Sequence, residues 1–297
     1  MKFGVCLPNY GKSLARNALA DSAQLAENLG YDSIWTTDHI LVPKKYQNPY
    51  GNILDSLMSL AYVGAVTERI YLGTSVLVLP VRNPIIVAKQ AATIDYLTGG
   101  RLILGTAVGW MEEEFENLGS SFQDRSRRFE EAITLIRTLY QNEYPQFHGH
   151  YHKFIDATFK PKPRDLDSPR IWFGGNSNMA ILRAAKLADG WQPVGVTVQT
   201  FSRGAQKIRS MLGERRQFTL SLRIHVDLNG KTEPYHAPGG EFRDVIVGNR
   251  EQVVRTIEKY REVGLEHLVC YFGDTDLEQL KGKMKQFATE VATSLRD

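Results

Sequence analysis

Cysteine is scarce in this chain: Cys6 and Cys270 are the only two among 297 residues. Two thiols so far apart make neither a disulfide framework nor a zinc spacing, and they point to a reducing compartment such as the cytoplasm. Long apolar runs are also missing. None reaches the ~18–20 residues that a membrane span needs. The first eight residues are broken too soon, at Pro8, to act as a signal peptide, and they read as a first strand. Neither charge dominates, with 36 Lys and Arg against 33 Asp and Glu. The densest basic cluster is Arg125, Arg127 and Arg128. A nucleic-acid surface would show a stripe of cations interleaved with aromatics, and there is none. The mild positive excess does suit an anionic cofactor. No strand candidate is followed by GxGxxG, which argues against an open dinucleotide-binding sheet, and no HExxH suggests a metal site.

What is present is alternation. Short apolar segments lie at 2–7, 32–36, 70–75, 101–107, 170–174, 190–194, 219–225 and 266–271. Near-continuous apolar runs are expected of parallel strands covered on both faces. Amphipathic helices fill the gaps. Ala18, Ser22, Leu25, Ala26 and Leu29 share one face, with Gly30 as the C′ residue. Asn83 and Pro84 form an N-cap and first helical position. Phe129, Ala132, Ile133, Ile136 and Leu139 make a stripe, as do Leu277, Leu280, Met284, Phe287 and Val291. Eight such units predict a single (β/α)8 TIM-barrel domain over 1–297, with an open doubly wound sheet as the alternative. Two insertions interrupt the repeat. One is an acidic and aromatic loop at 110–124, after the fourth strand. The other is a proline-rich segment at 141–169, after the fourth helix. Segments 44–52 and 229–247 read as loops that shape the pocket.

In a parallel barrel, chemistry collects at the C-terminal strand ends. That rule selects Asn9, Asp38, His39, Ser75, Trp110, Glu112 to Glu114, and the turn Gly174-Gly175-Asn176-Ser177. The turn has two glycines before a helix start, where free N–H groups suit a phosphate. It reads equally as a plain turn with Ser177 or Asn176 as N-cap. Asp38 and His39 offer an acid/base or orienting pair. Glu112 and Glu113 read as a solvated acidic helix start, and Glu114 is left unassigned. Paired with Asp38, these carboxylates would make a glycosidase the rival enzyme. His148, His150 and His152 alternate, which fits a surface hairpin better than a metal site.

Taken together, several motifs resemble the luciferase-like monooxygenase superfamily. They are Ser33-Ile34-Trp35-Thr36-Thr37-Asp38-His39; Leu72-Gly73-Thr74-Ser75-Val76-Leu77-Val78-Leu79-Pro80; Leu97-Thr98-Gly99-Gly100-Arg101-Leu102; Gly109-Trp110-Met111-Glu112-Glu113-Glu114-Phe115; and Pro169 to Ser177 with Ala188-Asp189-Gly190-Trp191. The likeness runs from about residue 3 to 271 and is nearest to the F420-dependent oxidoreductases of about 300 residues. It implies a non-proline cis peptide at Ser75–Val76, set against the central ring of a flavin or deazaflavin. Asp38 is counted with the cofactor site. Ala107 would face the ring's polar edge, and Gly174, Gly175 and Ser177 would hold the phosphate. Arg125 would lie near the cofactor, and His39 would be catalytic. The implied activity is hydride transfer between coenzyme F420 and a small organic substrate. The alternatives are an FMN-dependent monooxygenase served by a flavin reductase, and a non-catalytic flavin-binding barrel. Trp110 stands where some F420 dehydrogenases carry a glutamate, which speaks against their sugar-phosphate chemistry. The resemblance also implies a homodimer through helices beside the second and third strands, on a surface including Leu57, Leu60, Ala61 and Val87.

Overall fold

The computed structural model describes residues 1–164, 169–213 and 217–296. Residues 165–168 of the second insertion lie outside that range, as do 214–216 and 297. Eight parallel strands close on themselves: β1 (Lys2–Cys6), β2 (Ser33–Thr36), β3 (Tyr71–Thr74), β4 (Leu102–Ala107), β5 (Arg170–Gly174), β6 (Gly190–Gln192), β7 (Thr219–Leu228) and β8 (His267–Tyr271). Each pairs with the next, and β8 returns to β1, with Leu268 opposite Phe3. The helices α1 (Ala18–Asn28), α2 (Ser56–Gly64), α3 (Pro84–Leu97), α4 (Arg125–Gln141), α5 (Asn178–Leu187), α6 (Val198–Leu212), α7 (Arg250–Glu262) and α8 (Leu277–Phe287) follow the strands in turn. This is the expected (β/α)8 barrel. Among the described residues, no helix is long and apolar enough to cross a membrane.

Local chemistry sets the element ends. Asn83 Oδ1 accepts from the Ile85 N–H at 2.9 Å and opens α3. Gly30 takes φ of +77° and closes α1. Phe129, Ala132, Ile133, Ile136 and Leu139 of α4 are all buried. Most strands match the sequence reading to within a residue or two at each end. The exception is β7, which runs on to Leu228 and pairs there with an added strand, Val245–Gly248. The segment expected as a loop at 229–247 therefore holds part of that strand, and a small hairpin pairs Tyr235 with Arg243. The 110–124 insertion carries a short helix, Glu112–Asn117. The 141–164 part of the other insertion carries a hairpin in which His148 opposes Lys153. Glu131 caps its tip by accepting from the backbone N–H groups of His150, Tyr151 and His152 at 2.6–2.9 Å.

The barrel interior is plugged. The rings of Trp35, Trp172 and His267 stand 5.3–5.8 Å apart, centroid to centroid, and all three are buried. Ser33 Oγ lies 2.8 Å from His267 Nε2 and accepts from Trp35 Nε1 at 2.7 Å. Burial, helped by Lys2, pushes the His267 imidazole down to about 3.

The third strand breaks step near its end. Gly73 pairs with Ile103, and Leu77 pairs with Thr106. Four residue steps on one side therefore match three on the other, which defines a one-residue bulge. The Ser75–Val76 peptide within it is cis. The outer helix faces correct one expectation. Leu57, Leu60 and Val87 are at most 1% exposed, because Leu57 and Leu60 lie on the buried face of α2 and Val87 on that of α3. Ala61 does face out, together with Met58, Tyr62, Ile86, Tyr96 and Leu97.

Candidate active site

The C-terminal strand ends surround a cavity of about 900 Å³. One wall is the bulge. Val76 lies against Gly174, where an added Cβ would stand 3.0 Å from Val76 Cγ1 and 3.6 Å from the Ala107 Cβ. Three residues chosen from sequence, Val76, Ala107 and Gly174, thus form one small-residue surface from β3, β4 and β5. Ser75 is turned inward. Its Oγ donates to Gln192 Oε1 at 2.6 Å, and its carbonyl accepts from Arg223 Nη1 at 2.5 Å.

Asp38 supports this wall from behind. Its carboxylate accepts from the Val78 N–H at 3.0 Å, from Ser56 Oγ at 2.7 Å and from Arg82 Nη2 at 2.7 Å. It borders the cavity but is only 2% exposed, and both of its oxygens are engaged by the protein. Asp38 is therefore a strut for the bulge and not the partner of His39. Asn9 is also structural. It exchanges two hydrogen bonds with the Thr37 backbone and is fully buried.

His39 borders the cavity and pairs with Glu114, with Nδ1 2.8 Å from Oε2. The other Glu114 oxygen accepts from the Ile40 N–H at 2.6 Å and the Leu41 N–H at 3.2 Å. The solvated reading fits Glu112, which is exposed, and Glu113, which pairs with the exposed Lys45. It fails for Glu114, which is 1% exposed. Around His39 stand Tyr50 at 4.9 Å and Trp110 at 5.9 Å, ring to ring.

The turn after β5 and the start of α4 bring together groups that could hold an anion. Gly175 has φ of +110°, a conformation that glycine tolerates best. Ser177 caps α5, with Oγ accepting from the Ala180 N–H at 3.2 Å. Asn176 ties the turn to Val194 through two hydrogen bonds of 2.9 Å. Arg125, at the start of α4, also lines the cavity. Its guanidinium lies 3.7 Å over the Phe122 ring, and its buried Nε has no partner among the described residues. Burial lowers its pKa, and nearby Arg183 adds to this against the pull of Glu112. A buried donor without an acceptor, beside a helix N-terminus and a second arginine, fits a phosphate.

The cavity residues missed from sequence include Arg183, Arg223 and His225. Arg223 is buried. Burial opposes its charge, but the surrounding Cys6, Tyr10, Tyr50 and Tyr271 groups outweigh that and raise its pKa. His225 is pushed down to about 4, chiefly by burial, and its Nε2 has no partner among the described residues. A signal was there to read. Ser221, Arg223, His225 and Asp227 alternate with Leu220, Leu222, Ile224 and Val226, so one face of β7 is wholly polar. Glu114 had one too, because it shares a helical face with Met111 and Phe115, both buried.

The luciferase-like monooxygenase family profile matches residues 1–231. An uncharacterized protein of Mycobacterium tuberculosis is 33% identical over 224 residues, covering 71% of this chain and 76% of its own length. An FMNH2-dependent dimethylsulfone monooxygenase of Pseudomonas putida is 31% identical over 193 residues, 63% of this chain and 51% of that protein. An F420-dependent glucose-6-phosphate dehydrogenase of Nakamurella multipartita is 34% identical over 177 residues, 58% of this chain and 50% of that protein. Among solved structures, an F420-dependent secondary alcohol dehydrogenase bound to an F420–acetone adduct superposes with a TM-score of 0.82 at 19% identity. That match covers 100% of this chain and 99% of the other.

Proposed function

The chain belongs to the luciferase-like monooxygenase family, and from that premise we propose that it transfers a hydride between coenzyme F420 and a small organic substrate. The observation that carries this reading is one cavity with two unlike surfaces. A wall of Val76, Ala107 and Gly174 adjoins a polar cradle of Gly175, Ser177 and Arg125. A tricyclic ring on a phosphate-bearing tail fits that pairing. When bound, F420 supplies the hydride chemistry. The protein's part is to bind, orient and handle the proton. The bulge supports the ring face, the α5 turn and Arg125 fix the phosphate, and His39 exchanges a proton with the substrate. Tyr50 and Trp110 screen His39 from water.

A second reading takes FMN as the cofactor, with a reductase delivering it reduced and O₂ as co-substrate. One observation favours it, the FMNH2-dependent relative. Titration of the purified protein with F420 and with FMN, followed by fluorescence quenching, separates the two. Saturable binding of F420 at least about tenfold tighter than FMN, a gap of about 1.4 kcal/mol, supports the first reading. The reverse order overturns it.

A further inference from the structure

Glu114 sits on the buried face of a short acidic helix and reaches back to the loop after β2. Its two oxygens do different things. Oε1 serves the N–H groups of Ile40 and Leu41, and Oε2 faces His39 Nδ1. Burial alone would raise its pKa. The His39 contact and the two backbone donors outweigh burial and hold the carboxyl below the usual glutamate range. A carboxylate only accepts hydrogen bonds, so Nδ1 must carry the proton in both the neutral and the cationic ring. We propose that Glu114 is a positioning residue that pins one proton to His39 Nδ1, so that Nε2 alone exchanges a proton with a hydroxyl or carbonyl group of the substrate. This rests on the reading of the barrel mouth as the reaction site.

The balance is simple. In the oxidising direction the substrate O–H bond breaks and its proton passes to the Nε2 lone pair. The adjacent C–H leaves as hydride to the bound deazaflavin, and the C–O bond becomes C=O. The imidazolium that results is matched by the negative charge 2.8 Å away. In the reducing direction, Nε2–H returns the proton to the carbonyl oxygen as the hydride arrives.

Glu114→Gln gives a sharp test. The Ile40 and Leu41 N–H groups still require an acceptor, so the amide oxygen takes that side. The amide NH₂ then faces Nδ1 and donates to it, and the ring proton must move to Nε2. Nitrogen NMR of the ¹⁵N-histidine-labelled protein at about pH 8, above the ordinary histidine range, reads this directly. The His39 signals are assigned by their loss in His39→Asn. The expected result is a protonated Nδ1 and a bare Nε2 in the parent chain, inverted in Glu114→Gln, with unchanged F420 affinity. A parent spectrum with the proton on Nε2 overturns the proposal, and this arm needs no variant to fold. A Glu114→Gln spectrum like the parent's overturns it as well. If the spectra are as expected but neither F420 nor FMN binds, the reading of the mouth fails instead, and the role of Nε2 fails with it.

Discussion

His39→Asn is expected to lower turnover by about 10²–10⁴-fold, the usual worth of a positioned acid/base. F420 affinity should stay close to that of the parent chain, because the anion cradle is made by other residues, Gly175, Ser177 and Arg125. Steady-state kinetics with a cofactor titration would check this, and a parent-like kcat would remove His39 from the chemistry. Two other histidines bear on the pH dependence of stability. His267 and His225 are held neutral mainly by burial, at about 3 and about 4. The unfolded chain protonates them near 6.5. Between those values the unfolded state binds more protons, so their contribution to stability is complete above about pH 6.5 and is lost as pH drops to about 4 for His225 and about 3 for His267. Each group contributes on the order of 1–3 kcal/mol, discounted for partial solvation. Thermal melts at about pH 7 and about pH 5, above the range of most carboxylates, should show the loss, and His267→Gln should flatten it. Equal melting temperatures at the two pH values would contradict the assignment. Single residues differed in how far sequence reveals them. Ser75, Val76, Gly174 and His39 stand in recognisable strand-end strings. Glu114 and Arg223 matter through partners 75 and 148 positions away in sequence, and such pairings exist only once the barrel has closed.

At the scale of elements, the β5–α5 turn carries the most exposed prediction. Gly175→Asp should abolish binding of both cofactors, since it sets a carboxylate where a phosphate must approach. It should also cost about 1–3 kcal/mol of stability, because φ of +110° disfavours any side chain and an added Cβ would sit 2.8 Å from the Ala180 Cβ. Gly175→Ala carries the same backbone cost without the charge. Calorimetric titration should therefore show a larger affinity loss for Asp than for Ala, and equal losses would reduce the turn to a structural role. The eight strands were legible because burial on both faces imposes long apolar runs. The bulge at 74–77 was legible only through family likeness, since nothing in the run Thr74-Ser75-Val76-Leu77 marks an extra residue. The strand Val245–Gly248 was hidden for a different reason. It is four residues long, and it pairs with an extension of β7 that continues past the predicted end.

The whole molecule leaves an apolar face uncovered. Met58 and Tyr62 of α2, with Ile86, Tyr96 and Leu97 of α3, are 49–76% exposed. α2 and α3 pack side by side, so these residues lie on one flank of the barrel, and an exposed apolar patch suits an interface. We expect a homodimer through it. Light scattering should give twice the chain mass, and Tyr62→Glu with Met58→Lys should give the monomer. A parent chain that stays monomeric at high concentration would refute the assignment. The plug of Trp35, Trp172 and His267 has a kinetic meaning of its own. It fills the barrel interior beneath the strand ends, so among the described residues no way out through the floor is expected. Both partners of the proposed reaction would then enter and leave through the mouth at the strand ends. A ring seated against the bulge would be covered by the small molecule that reacts with it, so the expected order of addition is compulsory, with the ring first. An excess of that small molecule, lodged in the doorway of an unloaded barrel, would slow the enzyme by blocking its own cofactor.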